Sequence, residues 1–402
     1  MSAVLLGIFA ELEEEKMIVR AIVEKIVSRL RYKDNGFWVF GEWFGNRCCD
    51  NCMYFANYVS RNYNDINCVW VTRKSTDVSG LDSRIQIMEM NTPEANRVVR
   101  NAHMIFMNQG MRDLSDDIVS VSGPKTVNFW HGVPWKKIGL DGAKGISWAR
   151  RKYYAFQNKI LAADYFLALS ADFSKILCSS CGANPRRIIK SGYPRNTILY
   201  SDTKMLQCRK KLADYLEHKS TKTIDFSNCR IITYMPTFRD TEGDQFSFVS
   251  ILENESFTRI LEEENAIVIQ KAHFVSKGEK SEEAMCRVFS EKEYPAQELL
   301  AATDILITDY SSCFFDFLIC DRPIIHFLYD FDYYANHDRG LYYDQDTVVC
   351  GAVANTAEEL IDSIEKYIKN PLLDSDIRKK RRKEFIEYES ADSCEDIFRR
   401  IN

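Results

Sequence analysis

"TVNFWHG", residues 126–132, is a short run of β-branched and aromatic residues that stops on a histidine and a glycine. Its length and composition predict a strand, and the glycine supplies the turn that ends it. Similar runs recur on both sides: "FWVF" (37–40), "CVWVT" (68–72), "MIFM" (104–107) and "YFLALS" (165–170), then "RIITYMP" (230–236), "NAIVIQ" (265–270), "DILITD" (304–309) and "PIIHFLY" (323–329). Each gap leaves room for a helix, so the pattern predicts parallel α/β units. A polar stretch, "EHKSTKTIDFSN" (217–228), interrupts the series, and 402 residues exceed what one core usually holds. Two doubly wound domains are expected, with ligands beyond the carboxyl ends of the strands.

With 46% hydrophobic and 28% charged residues the chain reads as globular, and a formal charge of −5 gives no reason to expect nucleic acid as a partner. No stretch approaches the roughly 20 apolar residues that span a bilayer. The opening "MSAVLLGIFAELEEEK" turns acidic where a signal peptide would need a cleavage site, so a cytoplasmic location is expected. Thirteen scattered cysteines read as reduced thiols. Cys49/Cys52 and Cys178/Cys181 have ligand-like spacing, but the pairs lie over a hundred residues apart without a nearby histidine, which favours ordinary helix thiols over zinc. There is no Walker loop and no Gly-x-Gly-x-x-Gly after a strand, which argues against nucleoside triphosphate hydrolysis and dinucleotide redox.

The strand ends carry the polar residues. His131 follows an apolar run and precedes Gly132, a place suited to a general base, since an imidazole titrates near neutrality. A structural histidine bonded to a loop carbonyl would leave the same trace. His273 closes another run between Lys271 and Lys277, a cationic corner fit for phosphate. Asp309, Tyr310, Ser311 and Ser312 follow "DILIT", where helix-start amides bind anions, although a serine there is also an ordinary cap. Arg239 in "MPTFRD" can grip a phosphate, or pair with Asp240. Together these residues describe a site for a diphosphate linkage and an alcohol.

"FWHGVPWKKIG" (129–139), "SGYPRNT" (191–197), "YMPTFRD" (234–240) and "DILITDYSSCFFDFLICDRPIIHFLYDFDYYANHDRGLYYD" (304–344) resemble the successive signatures of the CDP-glycerol glycerophosphotransferases of teichoic acid and capsule polymer synthesis. "FGNRCCDN" (44–51) is similar to that family's first motif, with Asp50 and Asn51 as the matching pair. The resemblance implies a GT-B fold, with an acceptor domain at 1–195, a CDP-donor domain at 196–370, helices of 371–402 packing back, and a site in the cleft between domains. It implies His131 and His273 as catalytic residues. Substrate contacts are implied for Asp50, Asn51, Gly132, Pro134, Lys136, Arg195, Thr237, Arg239, Asp309, Ser311, Ser312, Asp316 and Arg339. The implied reaction moves glycerol phosphate from CDP-glycerol to a hydroxyl of a glycan, lipid-linked or poly(glycerol phosphate) acceptor and releases CMP. No cofactor and no obligatory metal ion are expected, because fixed cations would supply the charge.

The chain departs from the family pattern at Val133-Pro134-Trp135, at Thr197, at His273-Phe274 and at Asp392-Ser393. Rival readings are a polymerase using ribitol or another CDP-polyol, a nucleotide-sugar glycosyltransferase, and a nucleotide-binding assembly protein without turnover. The segment 146–166 mixes Trp148, Tyr153, Tyr154 and Phe156 with Arg150, Arg151, Lys152 and Lys159, as an inner-leaflet interface helix or as an ordinary packed helix. Residues of about 4–31 read as a helix serving a core or homo-oligomer face, or a peripheral anchor. The run "RKKRRK" (378–383) reads as a solvated helix face, with anionic lipid as the lesser alternative.

Overall fold

In the computed structural model, residues 3–28, 34–220, 224–237, 246, 248–251, 254–271, 287–331 and 340–402 are described. They form two compact units. The first comprises 1–131, 139–195 and 388–402, and the second 132–138 and 196–387.

The first unit holds a seven-stranded parallel sheet of β1 (Asp34–Phe40), β2 (Asn67–Thr72), β3 (Gln86–Glu89), β4 (Ala102–Met107), β5 (Lys125–Asn128), β6 (Tyr165–Ala168) and β7 (Ile188–Lys190). Their order is β3-β2-β1-β4-β5-β6-β7. The second unit holds β8 (Arg230–Met235), β9 (Ala266–Lys271), β10 (Val288–Glu291), β11 (Ile305–Thr308), β12 (Ile324–Phe327) and β13 (Ala352–Ala354), ordered β10-β9-β8-β11-β12-β13. Every strand pair is parallel, and each order reverses once, between β1 and β4 and between β8 and β11. At such a reversal the loops leaving adjacent strands run in opposite directions and open a crevice.

Both faces of the central strands are buried, which explains their near-continuous apolar runs, whereas the outermost β3 is largely exposed. In β8 and β9, Ile231, Ile267 and Ile269 pack on one side, while Ile232, Tyr234 and Val268 pack on the other. In the first unit Val39, Val69, Val71 and Ile105 join Val99 and Leu114. Each such side chain removed from water contributes about 1.5–3 kcal/mol. The closing helix Ser393–Ile401 belongs to the first unit, where Phe398 stacks on Tyr63 at 3.7 Å and lies 5.5 Å from Trp38. Among the described residues no helix is long and apolar enough to cross a membrane.

The basic run 378–383 is divided in its use. Arg378 is fully buried, and its guanidinium donates to Asp321 Oδ1 (3.1 Å) and to the carbonyls of Leu373 (2.6 Å), Pro371 and Asp321. Arg381 donates to the Val349 and Asp346 carbonyls, and Arg382 to that of Ile319. Only Lys379, Lys380 and Lys383 form the solvated face that the sequence suggested for the whole run. Arg378→Ala should therefore lower stability by about 3–5 kcal/mol, because Asp321 and three carbonyls lose a buried donor. Lys380→Ala and Lys383→Ala should stay within about 0.5 kcal/mol. Urea unfolding of the three variants checks the contrast.

Candidate functional site

In the first unit the polar residues gather where β1 and β4 diverge. The chain leaves β1 through Gly41, whose hydrogen faces the Asp113 carbonyl so closely that a Cβ would meet it at 2.6 Å. Glu42 follows, fully buried. Its Oε1 accepts from the Cys49 and Asp50 amides at 2.5 and 2.7 Å, and its Oε2 from Asn108 Nδ2 at 3.2 Å, just past the end of β4. Burial first, and then the neighbouring Asp50, push the Glu42 carboxyl well above its usual range. Asp113 accepts from the amides of Phe44, Asn108 and Gln109, and burial raises it to about 6.

This frame sets the start of the helix Asn51–Asn62, where Asp50 is the N-cap. Asp50 Oδ1 accepts from the Asn51 amide and from Arg195 Nη1, both at 2.7 Å, and its Oδ2 accepts from Trp43 Nε1 at 3.0 Å. Arg195 Nη1 also donates to the His131 carbonyl at 3.2 Å. Asn51 completes the loop: its Oδ1 accepts from the Arg195 amide at 3.2 Å and its Nδ2 donates to the Trp130 carbonyl at 3.0 Å. Asp50, Asn51, Arg195 and His131, expected from motifs far apart in sequence, therefore form one hydrogen-bonded cluster.

The His131 ring is stacked on Trp130 at 4.8 Å, and Trp43 lies 6.3 Å away. Nδ1 is enclosed and makes no hydrogen bond of normal geometry with a described residue, although the Asn108 main chain lies close enough to favour the protonated ring. Burial is the main cause that holds the imidazole below its usual pKa of 6.5. The Asp50 charge opposes that and the Arg195 charge adds to it, with burial the largest influence. The result is a neutral imidazole at pH 7, able to accept a proton.

Three bulky residues here adopt the left-handed backbone: Trp43 (φ 50°), Phe44 (φ 55°) and Trp130 (φ 60°). Each such conformation costs about 1–3 kcal/mol and persists only where surrounding bonds impose it. Those bonds are present. The Trp43 amide donates to Gln109 Oε1 (2.8 Å), the Phe44 amide to Asp113 Oδ1 (2.9 Å), and the Trp130 amide to Asn128 Oδ1 (2.8 Å).

In the second unit the reversal between β8 and β11 joins Thr237 to Asp309. The buried Asp309 carboxylate accepts from the Thr237 amide at 2.7 Å and its hydroxyl at 2.6 Å. Ser311 and Ser312 are half-buried before the short helix Cys313–Phe317, and Ser312 makes no side-chain cap. Asp316 is buried and accepts from Asn196 Nδ2 at 3.0 Å. The segment 132–138 is tied to 340–343. Gly132 has φ 153°, Pro134 is buried, Lys136 pairs with Leu341, and Trp135 Nε1 donates to the Tyr343 carbonyl at 2.9 Å. Lys271, expected near phosphate, is buried and donates to the carbonyls of Lys292 and Tyr294. His273, Lys277, Arg239, Asp240 and Arg339 lie outside the described residues.

Sequence reading missed Glu42, Asn108 and Asp113. Glu42 and Asn108 each fall within two residues of a strand's carboxyl end, so the strand-end rule applied to β1 and β4 would have found them.

The CDP-Glycerol:Poly(glycerophosphate) glycerophosphotransferase family matches residues 23–402. The teichoic acid poly(glycerol phosphate) polymerase of Bacillus spizizenii is 30% identical over 254 residues, 60% of either chain. The teichoic acid glycerol-phosphate primase of Bacillus subtilis is 28% identical over 244 residues, 60% of this chain and 59% of that one. The aligned part thus spans about three fifths of these relatives' length. Among solved structures, the wall teichoic acid polymerase TagF superposes with a TM-score of 0.74 at 20% identity, over 98% of this chain and 96% of that one. The fold, two doubly wound parallel sheets of GT-B type, is the one expected. A UDP-GlcNAc 2-epimerase from Neisseria meningitidis also superposes, with a TM-score of 0.53 at 12% identity over 91% of this chain and 98% of that one, so the fold alone does not name a reaction.

The side chains of Asp50 and Arg195 are 6% and 9% exposed, and the pair ties three segments together. Asp50→Ala should cost about 3–5 kcal/mol by leaving the guanidinium buried without its carboxylate. Asn51→Ala, which removes neutral hydrogen bonds, should cost about 1–3 kcal/mol. Thermal and urea unfolding of the two variants measure the difference.

Proposed function

This chain belongs to the CDP-glycerol:poly(glycerophosphate) glycerophosphotransferase family, and from that premise we propose that it transfers glycerol phosphate from CDP-glycerol to a hydroxyl of a glycan, lipid-linked or poly(glycerol phosphate) acceptor. The product would enter a teichoic acid or capsule polymer, and CMP would leave. Relatives named as a polymerase, a glycerol-phosphate transferase and a primase support the reading. The observation that carries it is His131, a neutral imidazole just past the end of β5 and beside the turn that leaves β1, anchored through its own carbonyl by Arg195.

In this mechanism the acceptor hydroxyl gives its proton to His131 while its oxygen attacks the β-phosphorus of CDP-glycerol. A new oxygen–phosphorus bond forms, the bond from the β-phosphorus to the bridging oxygen breaks, and CMP carries that oxygen away. The first unit is the acceptor side and the second the donor side. There Thr237, Ser311 and Ser312, with Arg239, His273 and Arg339, are the groups proposed to meet the diphosphate. Asp50, Arg195, Asp309 and Asp316 are buried, and their proposed role is to orient the groups they bond.

The proposal extends to a peripheral position on the cytoplasmic face of a membrane. The helix Trp148–Leu161 leaves Trp148 74% and Phe156 62% exposed on a segment that also carries Arg150, Arg151 and Lys152, a composition suited to the lipid interface. Val19, Val23 and Ile26 are exposed on the helix Ala3–Val27.

His131→Ala should lower kcat by roughly 100-fold or more while the affinity for CDP-glycerol is kept. Steady-state kinetics with donor-binding calorimetry measures both, and an equal loss of donor affinity or of folding would contradict the role. Because the imidazole must be neutral to accept a proton and burial holds its pKa below 6.5, kcat should be level around neutrality. It should then fall about tenfold per pH unit only once the pH drops below that depressed value. An acid limb already begun at pH 7 would contradict the assignment.

A further inference from the structure

The helix Ala3–Val27 and the residue after it show two opposite faces. One is held by the first unit. Ala21, Lys25 and Ser28 are buried, Lys25 Nζ donates to the Ala162 carbonyl at 2.6 Å, and Ser28 Oγ donates to the Gly123 carbonyl at 2.9 Å. The other face is apolar and open: Val19, Val23, Ile26 and Val27 are 54%, 53%, 60% and 41% exposed. At 3.6 residues per turn, Val19, Val23 and Ile26 line up on the side of the helix away from Ala21, Lys25 and Ser28.

The spacing of that stripe identifies what it fits. Val19, Val23 and Ile26 are separated by four residues and then three, and Lys16, Leu12, Phe9 and Leu5 continue the same alternation toward the start of the helix. This is the heptad pattern of a helix-to-helix seam, narrower than the apolar face by which a helix covers a globular core. Phe9, Lys16 and Val23 take the a positions, and Leu5, Leu12, Val19 and Ile26 the d positions. Ala21 and Ser28 then fall at f and Lys25 at c, the positions farthest from a seam. The first unit thus holds the helix by its back and leaves the seam outward.

Charge selects the occupant. Glu15 at g and Arg20 at e are exposed beside the seam, and in a parallel pair the glutamate of each helix faces the arginine of the other. Lys16, a charged residue at an a position, penalises slipped registers that would set it against Phe9 or Val23. Four glutamates among residues 11–15 make the same helix a poor match for an anionic leaflet.

We propose that the helix Ala3–Val27 pairs with the same helix of a second copy of this chain as a parallel two-stranded coiled coil. The pairing does not depend on which reaction the chain performs. The lipid contact proposed above is then left to Trp148 and Phe156.

Sedimentation equilibrium of the full chain in lipid-free buffer, from about 1 to 100 µM, tests the pairing. The expected result is a reversible dimer. Val23→Glu, which sets two like charges in the seam, should raise the dissociation constant about 100-fold or more. Glu15→Arg and Arg20→Glu should each weaken the dimer about fivefold, and the double reversal should restore it. At a dilution where wild type is monomeric, every variant should keep the wild-type thermal midpoint, because the altered side chains are exposed. The proposal is overturned if wild type stays monomeric across the range or if Val23→Glu dimerises as well as wild type. It is equally overturned if Val23→Glu lowers the midpoint at that dilution, which would show the stripe packed on its own unit. A double reversal no tighter than either single variant overturns the parallel register. A monomeric wild type whose flotation with phosphatidylglycerol vesicles is lost in Val23→Glu would assign the stripe to lipid and overturn the pairing.

Discussion

The buried pair of Asp50 and Arg195 is the constraint on which the rest of the first unit's site depends. A carboxylate out of water is tolerated only when its oxygens are fully used, and those of Asp50 are met by a guanidinium, a helix-start amide and an indole N–H. Each donor comes from a different part of the chain. Satisfying one charge therefore fixes the helix that begins at Asn51, the end of the 188–195 segment and the turn at Trp43. His131 inherits its position from that arrangement, because Arg195 and Asn51 hold the carbonyls of His131 and Trp130. The two charges of the pair act on the ring in opposite directions while burial dominates, so the histidine stays neutral, and a neutral ring is what a base requires.

The two units solve the same problem with different residues. Where β1 parts from β4, the frame is a pair of buried acids, Glu42 and Asp113, receiving main-chain amides. Where β8 parts from β11, Asp309 receives the amide and hydroxyl of Thr237. In both cases a carboxylate at the end of a central strand holds the neighbouring loop in shape, and the groups left half-exposed beside it are those available to a ligand. The strained turn at Trp43 and Phe44 belongs to this scheme, since Gln109 and Asp113 supply the bonds that hold it.

The central strands were legible because both of their faces are buried, which leaves an unbroken apolar run. The strands that escaped notice, β3 ("QIME"), β7 ("IIK"), β10 ("VFSE") and β13 ("AVA"), are the outermost of each sheet, three or four residues long, where one side lacks a partner and polar residues are tolerated. The run at 126–130 stops as a strand at Asn128, because Trp130 turns into the left-handed region. His131, Asp50 and Asn51 could be read from their motifs. Glu42 could not be paired with Asn108 from spacing, since 66 residues separate them and only the sheet order brings them together. The arginines of 378–383 looked like their lysine neighbours for the same reason: the carbonyls that claim them lie up to 63 residues away.

The account's central claim is that glycerol phosphate, and not a sugar or water, is the partner exchanged with the acceptor hydroxyl. The most direct measurement is ³¹P NMR of CDP-glycerol incubated with the protein and, in turn, a glycan and a poly(glycerol phosphate) oligomer as acceptor. The account predicts CMP and a new phosphodiester appearing together in equal amounts, and only when acceptor is present. Glycerol phosphate accumulating as a monoester beside CMP, at a rate indifferent to the acceptor, would contradict it.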